Sequence, residues 1–294
     1  MAAPFHPVPT ADGSFTFFSA EFDEAFHSYS GARLESQQKF VGPCHVARKA
    51  QSSSLTILDV CYGLGYNSAV ALATIWAINP SCRVELTGLE ADPTVPLHAT
   101  EHQLLAAALD EARYSPIVNL LETLSQFHQV QTKRVQAQLL IGDARKTIQQ
   151  YAVGKADVVF LDPFSPPKCP QLWTVEFLGL VAQRLAPEGR LATYSCAAAV
   201  RTALKSAGLT FGPTQGTGRQ SPGTVASFSR ESISELSPQE REHLNTRAAV
   251  PYRDPRLQDA AEIIVQRRQQ EQQQSRLEPT SHWKKRWMNR NFQR

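Results

Sequence analysis

The chain has 294 residues, 42% of them hydrophobic, enough for one large domain with appendages or at most two domains. Thirty Lys and Arg against 27 Asp and Glu leave a net charge of +3, too small in itself to mark a nucleic-acid binder. The charge is unevenly placed: from Gln266 to Arg294 eight bases face two acids, so this tail carries +6 and the rest of the chain −3.

The five cysteines (Cys44, Cys61, Cys82, Cys169, Cys196) are odd in number, widely spaced and never in a Cys-x-x-Cys pair. That argues against a disulfide framework or a zinc site and for a reducing cytoplasm. The first twenty residues have no Lys or Arg and no sustained apolar run, so no secretory leader is expected. The longest apolar stretch, around Ala69 to Ile78, is about half of what a membrane span needs, so no membrane partner is expected. The eight histidines are scattered without His-x-x-x-His spacing, so no metal is expected; His27, His45, His98 and His102 read as surface or structural residues.

Residues 1–54 lack strand–helix alternation and read as an N-terminal extension or small subdomain. From Leu55 to Ser229 short aliphatic runs alternate with helical segments, which predicts an α/β domain with a mostly parallel sheet covered on both faces. Strands are expected at Thr56–Val60, Val84–Leu89, Gln138–Ile141, Asp157–Leu161 and Leu191–Ser195. The helix after Gly65 runs through Ala69 to Ile78 and is stopped by Pro80. The helix after Trp173 has Thr174 as N-cap, an apolar face of Phe177, Leu180, Val181 and Leu185, and Pro187 with Gly189 past its end. A further helix near Ala197–Ala207 precedes two apolar runs, Leu209–Phe211 and Thr224–Phe228, which suit the hairpin that closes a class I, Rossmann-like methyltransferase sheet. Residues 230–294 read as a helical, basic tail. Ser237-Pro-Gln-Glu240 is a capping-box start, and Leu257, Ala260, Ala261 and Ile264 offer a second helix before the Gln/Arg-rich stretch Gln266–Arg276 frays.

The candidate site begins at Leu55-Thr-Ile-Leu-Asp-Val-Cys-Tyr-Gly-Leu-Gly-Tyr-Asn67, a buried strand entering a glycine turn. Gly63 and Gly65 let the backbone turn sharply and a ligand approach the following helix N-terminus. A dinucleotide fingerprint would want a third glycine where Ser68 stands. Glu90, at the end of the next strand, can accept from both hydroxyls of a ribose; Asp143 can receive an adenine amino group, with the Ala144 amide completing that edge. These acids fit S-adenosylmethionine best. Asp162, after the fourth strand, can hold an amine close to a methylsulfonium, either taking its proton or electrostatically favouring the cationic product. A turn-forming Asp is the alternative at that Asp-Pro step. Sulfonium chemistry needs no metal, and Ser195 lacks the glycines of a nucleophile elbow.

The run Asp157-Val-Val-Phe-Leu-Asp-Pro-Phe-Ser-Pro-Pro-Lys-Cys-Pro-Gln-Leu-Trp-Thr174, with Pro187-Glu-Gly-Arg-Leu-Ala-Thr-Tyr194 and Val200–Leu209, resembles the methyltransferase domain of the MnmC tRNA wobble-uridine modification family, in its stand-alone, MnmD-like form. Asp12-Gly-Ser-Phe-Thr-Phe-Phe-Ser-Ala-Glu-Phe-Asp-Glu24, followed by His27 and Glu35, is similar to that family's entry segment. The resemblance covers about residues 10–230 and implies N-methylation of 5-aminomethyl-2-thiouridine to 5-methylaminomethyl-2-thiouridine in the tRNA anticodon, with S-adenosyl-L-methionine as donor. It gives Gly63, Gly65, Glu90 and Asp143 to the cofactor and Asp162 to the aminomethyl group, with Phe164, Lys168, Trp173 and Arg219 on the uridine side. Pro163 departs from the glycine or alanine of many relatives and stiffens the backbone there. The flavin oxidase of bifunctional members has no counterpart in this chain, so other enzymes must supply the aminomethyl substrate. The tail, with Trp283 and Trp287 between cations, can grip anticodon-stem phosphates or stack on bases, or else is a solvated end. Two rivals stand beside this reading. Polyamine aminopropyl transfer would call for a second acid near Asp162, and Pro163-Phe164 supplies none; a catalytically silent RNA-binding protein would not need the intact pocket.

Overall fold

The structure, a computed structural model, describes residues 5–109, 111–151, 154–214 and 221–291. Its centre is an eight-stranded sheet of β1 (Ser54–Val60), β2 (Arg83–Glu90), β3 (Gln129–Gln131), β4 (Val135–Ile141), β5 (Ala156–Leu161), β6 (Leu185–Thr193), β7 (Thr210–Pro213) and β8 (Thr224–Ser227). The spatial order is β7-β8-β6-β5-β1-β2-β4-β3. The five inner strands are mutually parallel; β3 and the β7–β8 hairpin run antiparallel to their neighbours. The expected strands and closing hairpin are therefore present, and the edge strand β3 is an addition to them.

β1 lies inside the sheet, which is why its sequence is a near-continuous apolar run: Ile57, Leu58 and Val60 are fully buried. From β1 the chain builds outward to β2 and β4, then returns to β5 on the other side of β1. The strand order thus reverses between β1 and β5, where open α/β sheets leave a ligand crevice beyond the carboxyl ends of the strands.

One face is covered by α1 (Tyr66–Ile78), α2 (Thr94–Glu101), α3 (Leu104–Ala108) and α4 (Glu111–Phe127), whose apolar side chains share one core. α1 ends as expected: Asn79 is already extended and Pro80 follows. The second core, on the other face, is formed under α5 (Ala144–Thr147), α6 (Val175–Arg184) and α7 (Ala198–Ser206). Thr174 caps α6, its hydroxyl accepting from the Phe177 N–H at 3.2 Å.

The segment before β1 is built into the first core, to which it contributes Phe17, Ala32, Phe40, Val41 and Cys44. It forms two short antiparallel hairpins, Val8–Pro9 with Phe15–Thr16 and Phe18–Ser19 with Glu24–Ala25. The helical turn Ala32–Glu35 then runs into a π-helical turn, Ser36–Val41.

The tail begins with α8 (Pro238–His243), whose capping box between Ser237 and Glu240 is formed as the sequence suggests. The Gln/Arg-rich stretch does not fray where expected. It is helical throughout α9 (Ala261–Gln274), and Leu257 lies before that helix rather than on it. Arg268 explains the order: it donates to the Val250 and Ala248 carbonyls at 2.7 and 3.0 Å and stands 4.4 Å over the Tyr252 ring. In α10 (Thr280–Asn291), Trp283 is buried and stacks on His243 at 4.3 Å. Trp287 donates to Glu242 at 2.9 Å. Trp283 is therefore engaged within the fold rather than presented to bases, while Lys284 and Lys285 are exposed. Among the described residues no helix is long and apolar enough to cross a membrane.

Candidate active site

Gly63 and Gly65 adopt φ of +56° and +85°, and a Cβ on Gly65 would lie 2.7 Å from the Tyr62 hydroxyl. The turn between β1 and α1 thus needs glycine at position 65 for both conformation and space. Cys61 also has positive φ, 66°, and lines the cavity with Gly63. That cavity, about 730 Å³, lies at the carboxyl ends of β1, β2, β4 and β5. Its walls include Glu90, Asp143, Ala144, Asp162 and Phe164, so the sheet brings most of the sequence-derived residues to one place.

Glu90 ends β2 and accepts from two backbone N–H groups, Gly63 at 2.8 Å and Asp92 at 3.0 Å. Burial pushes its carboxyl up, while those N–H groups act in the opposite direction. The glycine turn and the acid after β2 are therefore locked together, with lone pairs of Glu90 left for the cavity.

Asp143 caps α5 and is gripped by Arg145: the Nε donates to both carboxylate oxygens at 3.1 Å and an Nη to Oδ2 at 2.7 Å. Burial raises this carboxyl, but the Arg145 hydrogen bonds outweigh it and hold it below its ordinary value.

Asp162 follows β5, held there by its N–H donating to the Val60 carbonyl at 3.0 Å. The Asn67 amide donates to Asp162 Oδ2 at 2.9 Å. Burial, then the charge of Glu35, raise the Asp162 carboxyl well above its ordinary value, against the Asn67 hydrogen bond. Glu35 itself is raised by burial and accepts from the Ser28 N–H at 2.8 Å.

Beside Asp162 stands an aromatic wall. Phe164 stacks on Phe22 at 4.3 Å and meets Phe26 edge-on at 5.0 Å. The loop under it is fixed by Tyr194, whose hydroxyl donates to the Pro163 carbonyl at 2.8 Å, and by Glu24, which accepts from the Ser165 N–H at 2.9 Å. Phe22, Phe26, Glu24 and Glu35 all come from the N-terminal segment and all line the cavity.

Two residues expected on the uridine side sit otherwise, and a third is not described. Trp173 is fully buried and donates its indole N–H to the Phe164 carbonyl at 2.9 Å, so it supports the wall from beneath. Lys168 points to solvent, paired with Asp23 at 3.1 Å. Arg219 lies outside the described residues. His27, read as surface or structural, lines the cavity; burial depresses it to about 4, so it is neutral near pH 7. Asn67 and the N-terminal residues stand within the sequence motifs, the latter through the family's entry segment, but no role at the site was assigned to them, because nothing local shows which of them meet Asp162. The second acid expected of a polyamine site, absent from Pro163-Phe164, is in fact supplied from afar by Glu24 and Glu35.

Seven carboxylates line the cavity against one guanidinium, Arg145. Such a field favours a cationic ligand and opposes phosphate. Together with the locked glycine turn and Glu90, this field fits a sulfonium nucleoside, and the reversed sheet order with its closing hairpin defines a class I S-adenosylmethionine-dependent methyltransferase.

A family described as S-adenosyl-L-methionine-dependent methyltransferases matches residues 107–229. The crystal structure of MnmC2 from Aquifex aeolicus is similar, with a TM-score of 0.81 and 34% identity, over 93% of this chain and 86% of that one. The chain belongs to this MnmC methyltransferase family. The tRNA 5-methylaminomethyl-2-thiouridine biosynthesis bifunctional protein MnmC of Ralstonia nicotianae is 32% identical over 72% of this chain. The match spans 33% of that relative's length. An uncharacterized protein of Methanocaldococcus jannaschii is 29% identical over 90% of this chain and 71% of its own.

Proposed function

We propose that the protein N-methylates the aminomethyl group of 5-aminomethyl-2-thiouridine at the tRNA wobble position, giving 5-methylaminomethyl-2-thiouridine. The observation that carries this reading is the placement of Asp162 and Glu35 beside the Phe22–Phe164 stack: carboxylates for an alkylammonium next to a flat aromatic surface for a base. The acidic lining leaves no place for phosphate, which suits a single nucleoside entering while its backbone stays outside. The names of the MnmC relatives point the same way.

Gly63, Glu90, Asp143 and Ala144 hold the cofactor, with Gly65 shaping the turn. S-adenosyl-L-methionine supplies an electrophilic methyl group whose leaving group is a neutral thioether. Asn67 occupies Asp162 Oδ2, leaving Oδ1 to accept the substrate ammonium. The raised affinity of Asp162 for protons lets it take one from that ammonium, exposing the nitrogen lone pair, and Glu35 favours the cation that remains on the product. Phe164 and Phe22 fix the ring, so the nitrogen is presented in one direction.

Incubation with methyl-labelled S-adenosylmethionine and tRNA from cells lacking the final methylation tests the reading. Label should appear in the wobble nucleoside. Because Glu24 and Glu35 do supply acids near Asp162, aminopropyl transfer to a diamine is the second reading; turnover of putrescine with decarboxylated cofactor, and none of tRNA, would favour it.

A further inference from the structure

Arg145 is unusual among the cavity residues in having a second, wholly buried partner. One Nη donates to Asp254 Oδ2 at 2.8 Å and to the Asp259 carbonyl at 2.9 Å, while the rest of the guanidinium grips Asp143. Asp254 has no exposed side-chain surface, and Arg145 retains 13%. A buried carboxylate is costly unless its lone pairs are used. Here its Oδ1 accepts from the N–H groups of Gln258 and Asp259 at 3.1 and 3.2 Å. The Asp254 N–H in turn donates to Glu176 at 2.7 Å, and the Val175 N–H to the Tyr252 carbonyl at 3.0 Å. The segment around Asp254 is thereby pinned to the start of α6, just after the loop that carries Asp162.

We infer that Asp254, beyond residues 107–229 matched by the family model, is a positioning residue of the cofactor site: it clamps Arg145 so that Arg145 holds Asp143 facing the bound nucleoside. The tail is then part of the methyl-donor pocket rather than an appendage to it. Without Asp254 the guanidinium keeps only Asp143 and the Asp259 carbonyl, whose own segment Asp254 holds through the Asp259 N–H, and Asp143 loses its fixed orientation. The inference rests on the proposal that Asp143 contacts the cofactor.

The full chain tests it through a double-mutant cycle on S-adenosylmethionine binding by calorimetry, with Asp254→Asn, Asp143→Asn and the pair. Asp254→Asn should weaken binding about fivefold to twentyfold, and the pair should bind no worse than Asp143→Asn alone, because both changes break one chain of contacts. The rate at saturating cofactor should stay within about twofold of the parent, a split between KM and kcat that general destabilisation does not produce. Unchanged affinity in Asp254→Asn, or losses that simply add, would overturn the inference. Should Asp254→Asn not fold, Arg145→Lys serves instead, since a lysine keeps the charge but cannot bridge both carboxylates as a fork; parental affinity in that variant equally overturns it. If Asp143→Asn binds like the parent while Asp254→Asn does not, the role given to Asp143 is what fails.

Discussion

Asn67, in the first turn of α1, donates its side-chain amide to Asp162 at the end of β5, 95 residues away, at 2.9 Å. This bond crosses the point where the strand order reverses and ties the glycine turn to the proposed amine site. It is also the hydrogen bond that opposes the upward push of burial and Glu35 on the Asp162 carboxyl. In Asn67→Ala that opposition is lost, so Asp162 holds its proton to higher pH. The acid limb of the kcat/KM profile for methyl transfer should move to higher pH, with the rate at pH 7 down about tenfold. A profile superimposable on the parent's would show that the bond does not tune the acid.

Glu35 should act on substrate rather than cofactor. Glu35→Gln keeps the shape and removes the charge, so KM for an aminomethyl-bearing anticodon stem-loop should rise about fivefold or more. Calorimetry should find S-adenosylmethionine affinity within about twofold of the parent. Equal loss in both measurements would place Glu35 at the donor instead.

Asp59 is buried beneath the turn, with Oδ2 accepting from the Ser68 hydroxyl at 2.7 Å and Oδ1 without a partner. Burial raises its carboxyl from 3.8 to about 7, against the Ser68 bond. The folded state therefore binds this proton more tightly than the unfolded state; its stabilisation is complete below the unfolded value and is lost as pH climbs toward 7. Asp59→Asn removes that loss. The melting temperature of the variant relative to the parent, without ligand, should thus be more favourable at pH 8 than at pH 5; a difference independent of pH would contradict the assignment.

Trp173→Phe removes the donor to the Phe164 carbonyl and leaves a void under the aromatic wall. Urea unfolding should show a loss of about 1–3 kcal/mol. Because Trp173 is buried rather than facing the cavity, S-adenosylmethionine affinity should change little.

What sequence could and could not reveal follows from range. β1 and β5 were legible because strands buried on both faces must be apolar throughout, and Asp162 because it directly follows such a run. Pro80 and the Ser237 capping box act within a few residues and were equally plain. Glu24, Glu35 and Phe22 entered only through the resemblance of their segment to the family's entry segment; their place beside Asp162 was not legible, since that segment has no strand–helix period and meets Asp162 only in the fold. The tail misled for a related reason: a Gln/Arg-rich stretch reads as solvated until Arg268 finds the Val250 carbonyl and the Tyr252 ring. Trp173 carried the look of a site residue because it lies in the Asp162 motif, yet its place is structural.

The central claim is that Asp162 handles the nucleophilic nitrogen while other residues hold the donor. Labelled methyl transfer to undermethylated tRNA, measured for the parent and Asp162→Ala alongside calorimetry with S-adenosylmethionine, tests it most directly. The account predicts label in the parent's wobble nucleoside and none in the variant, with donor affinity kept within about tenfold, or roughly 1.4 kcal/mol. Parental transfer rates in Asp162→Ala would contradict it.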